Sequence, residues 1–281
     1  MLDNVKVENI LKKIENGEKI TRKNNILYRG EKDTRKENLK YLYNNVELKE
    51  YSKCSNDIFY FIETYCDFDL NNPRLEILNN YLNNRLTINM CSNESGYYRL
   101  MSCIFLWESI FQIDKTIFIH SDKIKEGIVF IDIFYDLYKK LPFFLKPGIK
   151  VKNQKYISLD NGYRIRTQSG KYSGIGFGYD VILCLNFAYD TKNKSLINQH
   201  FPVVMASSET KMILHSAPNG YNIFERLVRE SELKEGHPKK NLFKTIRTYW
   251  WEFNNRDDKW KEDKIKDVGE EHFKRNFDLE F

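Results

Sequence analysis

The stretch LTINMCSNESGYYRLMSCIFLWESIFQ, Leu86 to Gln112, decides the fold. Its first seven residues, Leu86 to Ser92, read as a short strand, and a turn around Gly96 leads into a helix over about Tyr98–Gln112. The same grammar repeats at once. KTIFIHS (Lys115–Ser121) is a second strand, and an amphipathic helix from Asp122 to Lys140 follows it, closed by Pro142. Strands alternating with helices of this length predict a mostly parallel, twisted sheet with helices on both faces, an α/β domain.

Working outward, SNDIFYFIETY (Ser55–Tyr65) predicts a helix with Ser55 or Asn56 as its cap and Ile58, Phe61, Ile62 and Tyr65 on one face. Another helix starts near Pro73. Downstream, Lys155–Leu159 and Tyr163–Thr167 flank Asp160-Asn161-Gly162, a hairpin signal. A glycine-rich run, Ser169–Gly178, precedes a mid-sheet strand at Asp180–Phe187. A strand at Lys211–His215 enters Ser216-Ala217-Pro218-Asn219-Gly220, and a helix from Tyr221 to about Lys234 follows. Phe243–Trp251 is predicted as a last strand, before short helices at Asp257–Val268 and Glu270–Phe277.

Composition bounds what such a domain does. The 281 residues carry 45 Lys plus Arg against 39 Asp plus Glu, a net charge of +6 that is a weak nucleic-acid signal alone. A hydrophobic content of 41% supports a sizeable core. No apolar run reaches the ~18 residues of a membrane span, and the charged N-terminus is unlike a signal peptide. The expected compartment is therefore a cytoplasm. The five cysteines are scattered, with no CxxC pair, and are expected as reduced, buried thiols. The five histidines form neither HExxH nor a zinc pattern, and no GxSxG element is present. Asp257-Asp258 suits a helix first turn, and Tyr249-Trp250-Trp251 reads as packing at a strand end rather than a base-stacking platform. With no repeat or low-complexity linker, the expected organisation is a charged arm over 1–50, with a short helix near Val5–Ile14, and one domain over 51–281.

In order and spacing, DIFYFIETYC, the LPFFLKP segment with its DNGYRI hairpin, HSAPNGYNIFERL and the C-terminal WWEFNNRDDKWKEDKIKDVGEEHFKRNFDLEF resemble the ATPase half of tailed-bacteriophage terminase large subunits. The resemblance runs from about residue 50 to the end. It implies a P-loop NTPase fold of the ASCE (RecA-like) type, in which strand ends hold ATP and Mg²⁺, in a motor that packages DNA. The motif residues depart from that pattern. In a P-loop, backbone amides cradle phosphate, a Lys neutralises it and a Ser or Thr holds Mg²⁺. In SNESGYYRLMS, Gly96 remains, but Tyr97 stands at the Lys position and Tyr98 at the Ser/Thr position. Asn93, Ser95, Gly96 and Arg99 are what the degenerate loop still offers a nucleotide. Arg99 lies two residues along a helix from Tyr97, a rotation of about 200° that turns it away from a phosphate seated there.

The metal and water-activating carboxylates implied by the family fall at Leu185 and Asn186. Asp180 and Asp190, about five residues off, read as strand-end or turn aspartates. Ser216-Ala217-Pro218-Asn219-Gly220 keeps the turn of the family's coupling motif and loses its hydroxyl at Ala217. Arg74 replaces an adenine-reading glutamine, and the lone Gly170-Lys171 pair lacks the rest of a P-loop.

The resemblance thus implies a terminase-like fold that no longer hydrolyses ATP, with no cofactor expected although ATP and Mg²⁺ serve the family. The implied role is binding or regulation in DNA packaging, with portal, terminase subunits or double-stranded DNA as partners, in the host cytoplasm and away from membranes. The alternatives are an active packaging ATPase with an atypical or shared site, and a remnant. The chain stops at Phe281, near where the family's nuclease domain begins, so an ATPase-like half without that domain is expected.

Overall fold

The structure, a computed structural model, describes residues 45–170, 174 and 178–281; the expected helix near Val5–Ile14 and the arm up to residue 44 lie outside these. Two compact units share the chain, each made of three segments.

The unit holding residues 70–97, 117–129 and 167–281 is built on five strands: β1 (Leu86–Cys91), β2 (Thr116–His120), β6 (Val181–Cys184), β7 (Lys211–Ser216) and β8 (Lys244–Thr248). Their spatial order is β2-β6-β7-β1-β8, and every pairing is parallel. Near-continuous burial of β1, β6 and β7 explains why they read as apolar runs rather than alternating ones. On one face Ile88, Met90, Phe118, Ile182 and Leu214 pack with Phe187, Phe224 and Phe243.

The other unit contributes the antiparallel meander β3 (Ile149–Asn153), β4 (Tyr156–Leu159) and β5 (Arg164–Gln168). Its predicted hairpin is present: Gly162 adopts φ 86°, where an added Cβ would fall 1.9 Å from Asp114 Oδ1. Asn161 Nδ2 donates to the carbonyls of Ser109 and Gln112, so the turn caps the C-terminal end of the helix Tyr97–Phe111.

Helices α1 (Asn45–Asn56), α2 (Ile58–Tyr65), α3 (Asn72–Asn83), α4 (Tyr97–Phe111) and α5 (Ile124–Lys140) precede the meander. After it come α6 (Asn193–Ala206), α7 (Ile223–Ser231), α8 (Asp258–Val268) and α9 (Glu270–Asn276). Several expectations are corrected. Ser55 and Asn56 lie inside α1; the cap of α2 is Asp57, whose carboxylate accepts from Tyr60 N at 2.9 Å. The Asp180–Phe187 strand ends at Cys184, because Asn186 turns left-handed at φ 49° and starts a 3₁₀ turn. β8 stops at Thr248, and Trp250–Glu252 is a 3₁₀ turn whose Trp250 packs on Phe273 and Phe277. β3 and α6 were not anticipated. All five cysteines are buried free thiols, as expected. Among the described residues, no helix is long and apolar enough to cross a membrane.

Candidate functional site

Parallel strands gather their following loops at one edge, and ligand crevices of open α/β sheets lie at that edge. Here a cleft of ≈ 340 Å³ opens there, lined by Asn93 after β1, Asp122 and Lys123 after β2, Asn186 after β6 and Ala217 after β7, with Glu126, Tyr189 and Asn276. Three of the positions singled out in the sequence, Asn93, Asn186 and Ala217, therefore converge on one site.

The loop between β1 and α4 bends through Glu94 (φ 61°) and Gly96 (φ 79°). It is tied down from outside the strand ends. Asn93 N donates to Asn276 O at 2.8 Å, Arg256 Nη2 donates to Glu94 O at 2.8 Å, and Lys264 Nζ meets Glu94 Oε1 at 2.7 Å. Ser95 is buried.

Tyr97 points into the sheet rather than into the cleft. It is 3% exposed, its ring stacks on His215 at 3.8 Å and 12°, and its hydroxyl accepts from Asn89 Nδ2 at 2.9 Å. Burial drives the His215 pKa down to about 3, so the ring under Tyr97 is neutral. Tyr98 packs against Phe130. Arg99 Nη2 donates to the carbonyls of Cys66 and Asp67, both at 3.0 Å, and its guanidinium sits over Phe68. That arrangement satisfies carbonyls just past α2, the C-terminal end that attracts cations. Arg74 lies over Phe253.

Of the two positions that the resemblance assigns to carboxylates, Leu185 is fully buried and Asn186 lines the cleft in its left-handed turn. Asn186 hydrogen-bonds Glu126, an acid from the first turn of α5. Burial pushes the Glu126 pKa up, against the Asn186 bond and the Lys123 charge; Asp122 and Asp190 push the same way as burial. Asp190 itself pairs with buried His120 at 2.7 Å. Burial raises the Asp190 pKa, but the bonds from His120 and Lys192 N outweigh it, and the net shift is downward.

Ser216 to Gly220 form a tied turn: Ser216 Oγ accepts from Ala188 N at 3.1 Å, and Tyr189 Oη donates to Pro218 O at 3.0 Å. Asn219 Nδ2 donates to Ala188 O at 3.3 Å, and Gly220 takes φ 68°. Asn222, just beyond, caps α7 through Phe224 N. Asp122, Lys123, Glu126, Tyr189 and Asn276 were missed in the sequence. Only Asp122 and Lys123 carried a signal there, as the first charged residues beyond a predicted strand.

Mg-ATP does not fit these residues. No cation occupies the Tyr97 position, one loop amide is already bonded to Asn276, and the cleft's cation, Lys123, stands among the acids Asp122 and Glu126 and not on that loop.

The strand order, with β1 between β7 and β8 and β6 beyond β7, together with the loop between β1 and α4, defines a P-loop NTPase-like fold. No family model matches the chain. Among solved structures the fold is that of phage large-terminase ATPase domains. The ATPase domain of the large terminase of Thermus phage P74-26 has TM-score 0.60 and 14% identity, over 79% of this chain and 98% of that one. The large terminase of bacteriophage HK97 has TM-score 0.61 and 14% identity, over 80% of this chain and 54% of that one. A thermophilic bacteriophage's large terminase, solved with ATP-γ-S, has TM-score 0.55 and 13% identity over 75% of this chain and 52% of that one. The chain thus spans about half the length of the two intact large terminases.

Proposed function

We propose that this chain is a packaging-associated homologue of a terminase ATPase domain that does not hydrolyse ATP and acts by binding other components of the packaging machinery. The observation that carries this reading is Tyr97. A P-loop cation must face the phosphates, whereas Tyr97 is stacked on a neutral His215 and bonded to Asn89, with Leu185 and Asn186 at the carboxylate positions. Phosphoryl transfer relies almost wholly on positioning and on charge stabilisation by such groups. Similarity of fold to terminase ATPase domains supports the packaging context.

Thermal unfolding with and without Mg-ATP tests the first half. A ligand at about 100 times its Kd stabilises by ~2.7 kcal/mol, which moves the midpoint of a domain this size by roughly 5–10 °C. The expected result is no shift at millimolar nucleotide; a rise of several degrees overturns the reading. For the second half, immobilised chain should retain portal or intact terminase from the same phage, and failure to retain either counts against it.

A further inference from the structure

We propose that the outer edge of β8 is a docking site for an acidic, extended segment of a partner protein, which adds to the sheet as a further strand. β8 ends the strand order, and among the described residues it pairs with β1 alone. Ser92 N donates to Thr248 O at 2.8 Å, which turns the main-chain groups of Thr248, and at alternate residues those of Ile246 and Lys244, toward β1. The N–H and C=O of Thr245 and Arg247 therefore turn outward, and among the described residues nothing bonds to them. The open stretch is bounded at both ends. Phe243 N donates to Asn241 Oδ1 at 3.0 Å, and Tyr249 N donates to Glu252 Oε2 at 2.5 Å.

The strand is held in place from behind. α3 and α7 both pack on β8: Asn80 Nδ2 donates to Lys244 O at 3.3 Å, and the Ser231 and Thr245 hydroxyls are hydrogen-bonded. Arg247 pairs with Glu232 at 2.7 Å, again toward α7. An edge fixed in this way loses little freedom when a strand is laid on it. Main-chain bonds then supply affinity, and side chains at the ends of the strand supply selectivity. Those ends carry Leu242, 63% exposed, and Trp251, 52% exposed. The Trp251 ring is stacked on Tyr249 at 4.4 Å and 10°, so it presents a braced aromatic surface.

Charge on an edge strand also deters unwanted pairing, and Lys244 fits that role. Guarding does not account for Leu242 and Trp251, since exposed apolar side chains beside an open edge favour association. The charge instead selects the partner. Between Glu235 and Glu252 the chain carries Lys239, Lys240, Lys244 and Arg247 and no acid. An acidic segment is drawn to such an edge, whereas a second copy of β8 brings the same cations and is repelled. A nucleic-acid phosphate has no donor for the outward C=O groups of Thr245 and Arg247. This surface deepens the proposed binding role, on which it rests for the source of the segment, and it uses no residue of the strand-end cleft.

The test uses the full chain and a fluorescent peptide of alternating Glu and Val with Leu at each end, beside the same peptide with Lys in place of Glu. The acidic peptide should bind more tightly. On binding it, amide hydrogen exchange at Thr245 and Arg247 should slow, while Lys244, Ile246 and Thr248 stay protected throughout. Thr245→Pro removes an outward donor and no bond to β1, so it should weaken binding by about 2–10-fold. Trp251→Ala should weaken it about fivefold or more, and Lys244→Glu should narrow the preference for the acidic peptide. No binding of the acidic peptide, slow exchange at Thr245 and Arg247 in the free protein, unchanged exchange there on binding, or displacement of the peptide by duplex DNA each overturns the proposal. The exchange measurement decides on the wild type even if Thr245→Pro fails to fold. Retention of portal or terminase separates the two readings. Equal retention by the wild type and a folded Thr245→Pro variant overturns the β8 site and leaves the binding role standing; a wild type that binds the peptide but retains neither supports the site and counts against that role.

Discussion

Restoring a lysine at the loop position is the sharpest test of how the site is built. If this chain had lost nucleotide binding by a single drifted side chain, Tyr97→Lys would bring it back. The structure predicts damage instead. The substitution removes a buried ring stacked on His215 at 3.8 Å, an aromatic contact contributing ~0.5–1.5 kcal/mol beyond its buried area. It also leaves Asn89 Nδ2 without the acceptor it now has at 2.9 Å, a loss of ~1–3 kcal/mol for a buried donor. Together these amount to about 2–4 kcal/mol, and at roughly 2–4 °C per kcal/mol the midpoint should fall by about 5–15 °C. Circular dichroism melts with and without Mg-ATP read both consequences. A midpoint within about a degree of wild type would refute the claim that Tyr97 is part of the core. A nucleotide-dependent rise in the variant would refute the reading that Mg-ATP does not fit the cleft.

Two other perturbations are decided by local geometry. Glu126→Gln should stabilise at neutral pH. Because the folded-state pKa is raised, the stability linked to protonated Glu126 is complete below the ordinary carboxylate range and is lost as pH rises through the folded value. The gain from glutamine should therefore vanish below about pH 4, and melts showing the same difference at both pH values would contradict the assigned burial. Gly127→Ala should destabilise by about 1–3 kcal/mol through overpacking, because a Cβ there would fall 1.8 Å from Thr167 Oγ1. A chemical-denaturation midpoint unchanged from wild type would show that Thr167 yields freely.

Legibility differed by element, for physical reasons. β1, the turn at Gly96 and α4 were readable because a fully buried parallel strand is an uninterrupted apolar run and the period then changes to a helix. The hairpin was readable because Gly162 must take a positive φ. α6 was not, since its buried stripe is only Leu196, His200 and Val204, with Pro202 inside the helix. Its C-terminal end is closed by Arg85, distant in sequence, whose Nη1 donates to Val204 O at 2.7 Å and Ser207 O at 2.5 Å. β3 was hidden because IKVKN carries lysines and only one partly buried residue. Within the cleft, motif position located Asn93, Asn186 and Ala217, whereas Glu126, Tyr189 and Asn276 arrive from elements that only the strand order brings together.

The way the positions that the resemblance assigns to nucleotide are filled bears on the proposed role. Deleting functional side chains from a phosphate site leaves loop amides and buried polar groups exposed to an unfavourable desolvation cost. In this chain the groups at those positions have internal partners. Asn93 N has Asn276 O, Tyr97 Oη has Asn89, Arg99 has the carbonyls of Cys66 and Asp67, Asn186 has Glu126, and Ser216 has Ala188 N. Several of these partners lie far apart in sequence, as Asn93 and Asn276 do. Under the proposed binding role, these contacts keep the strand-end loops in shape without phosphate.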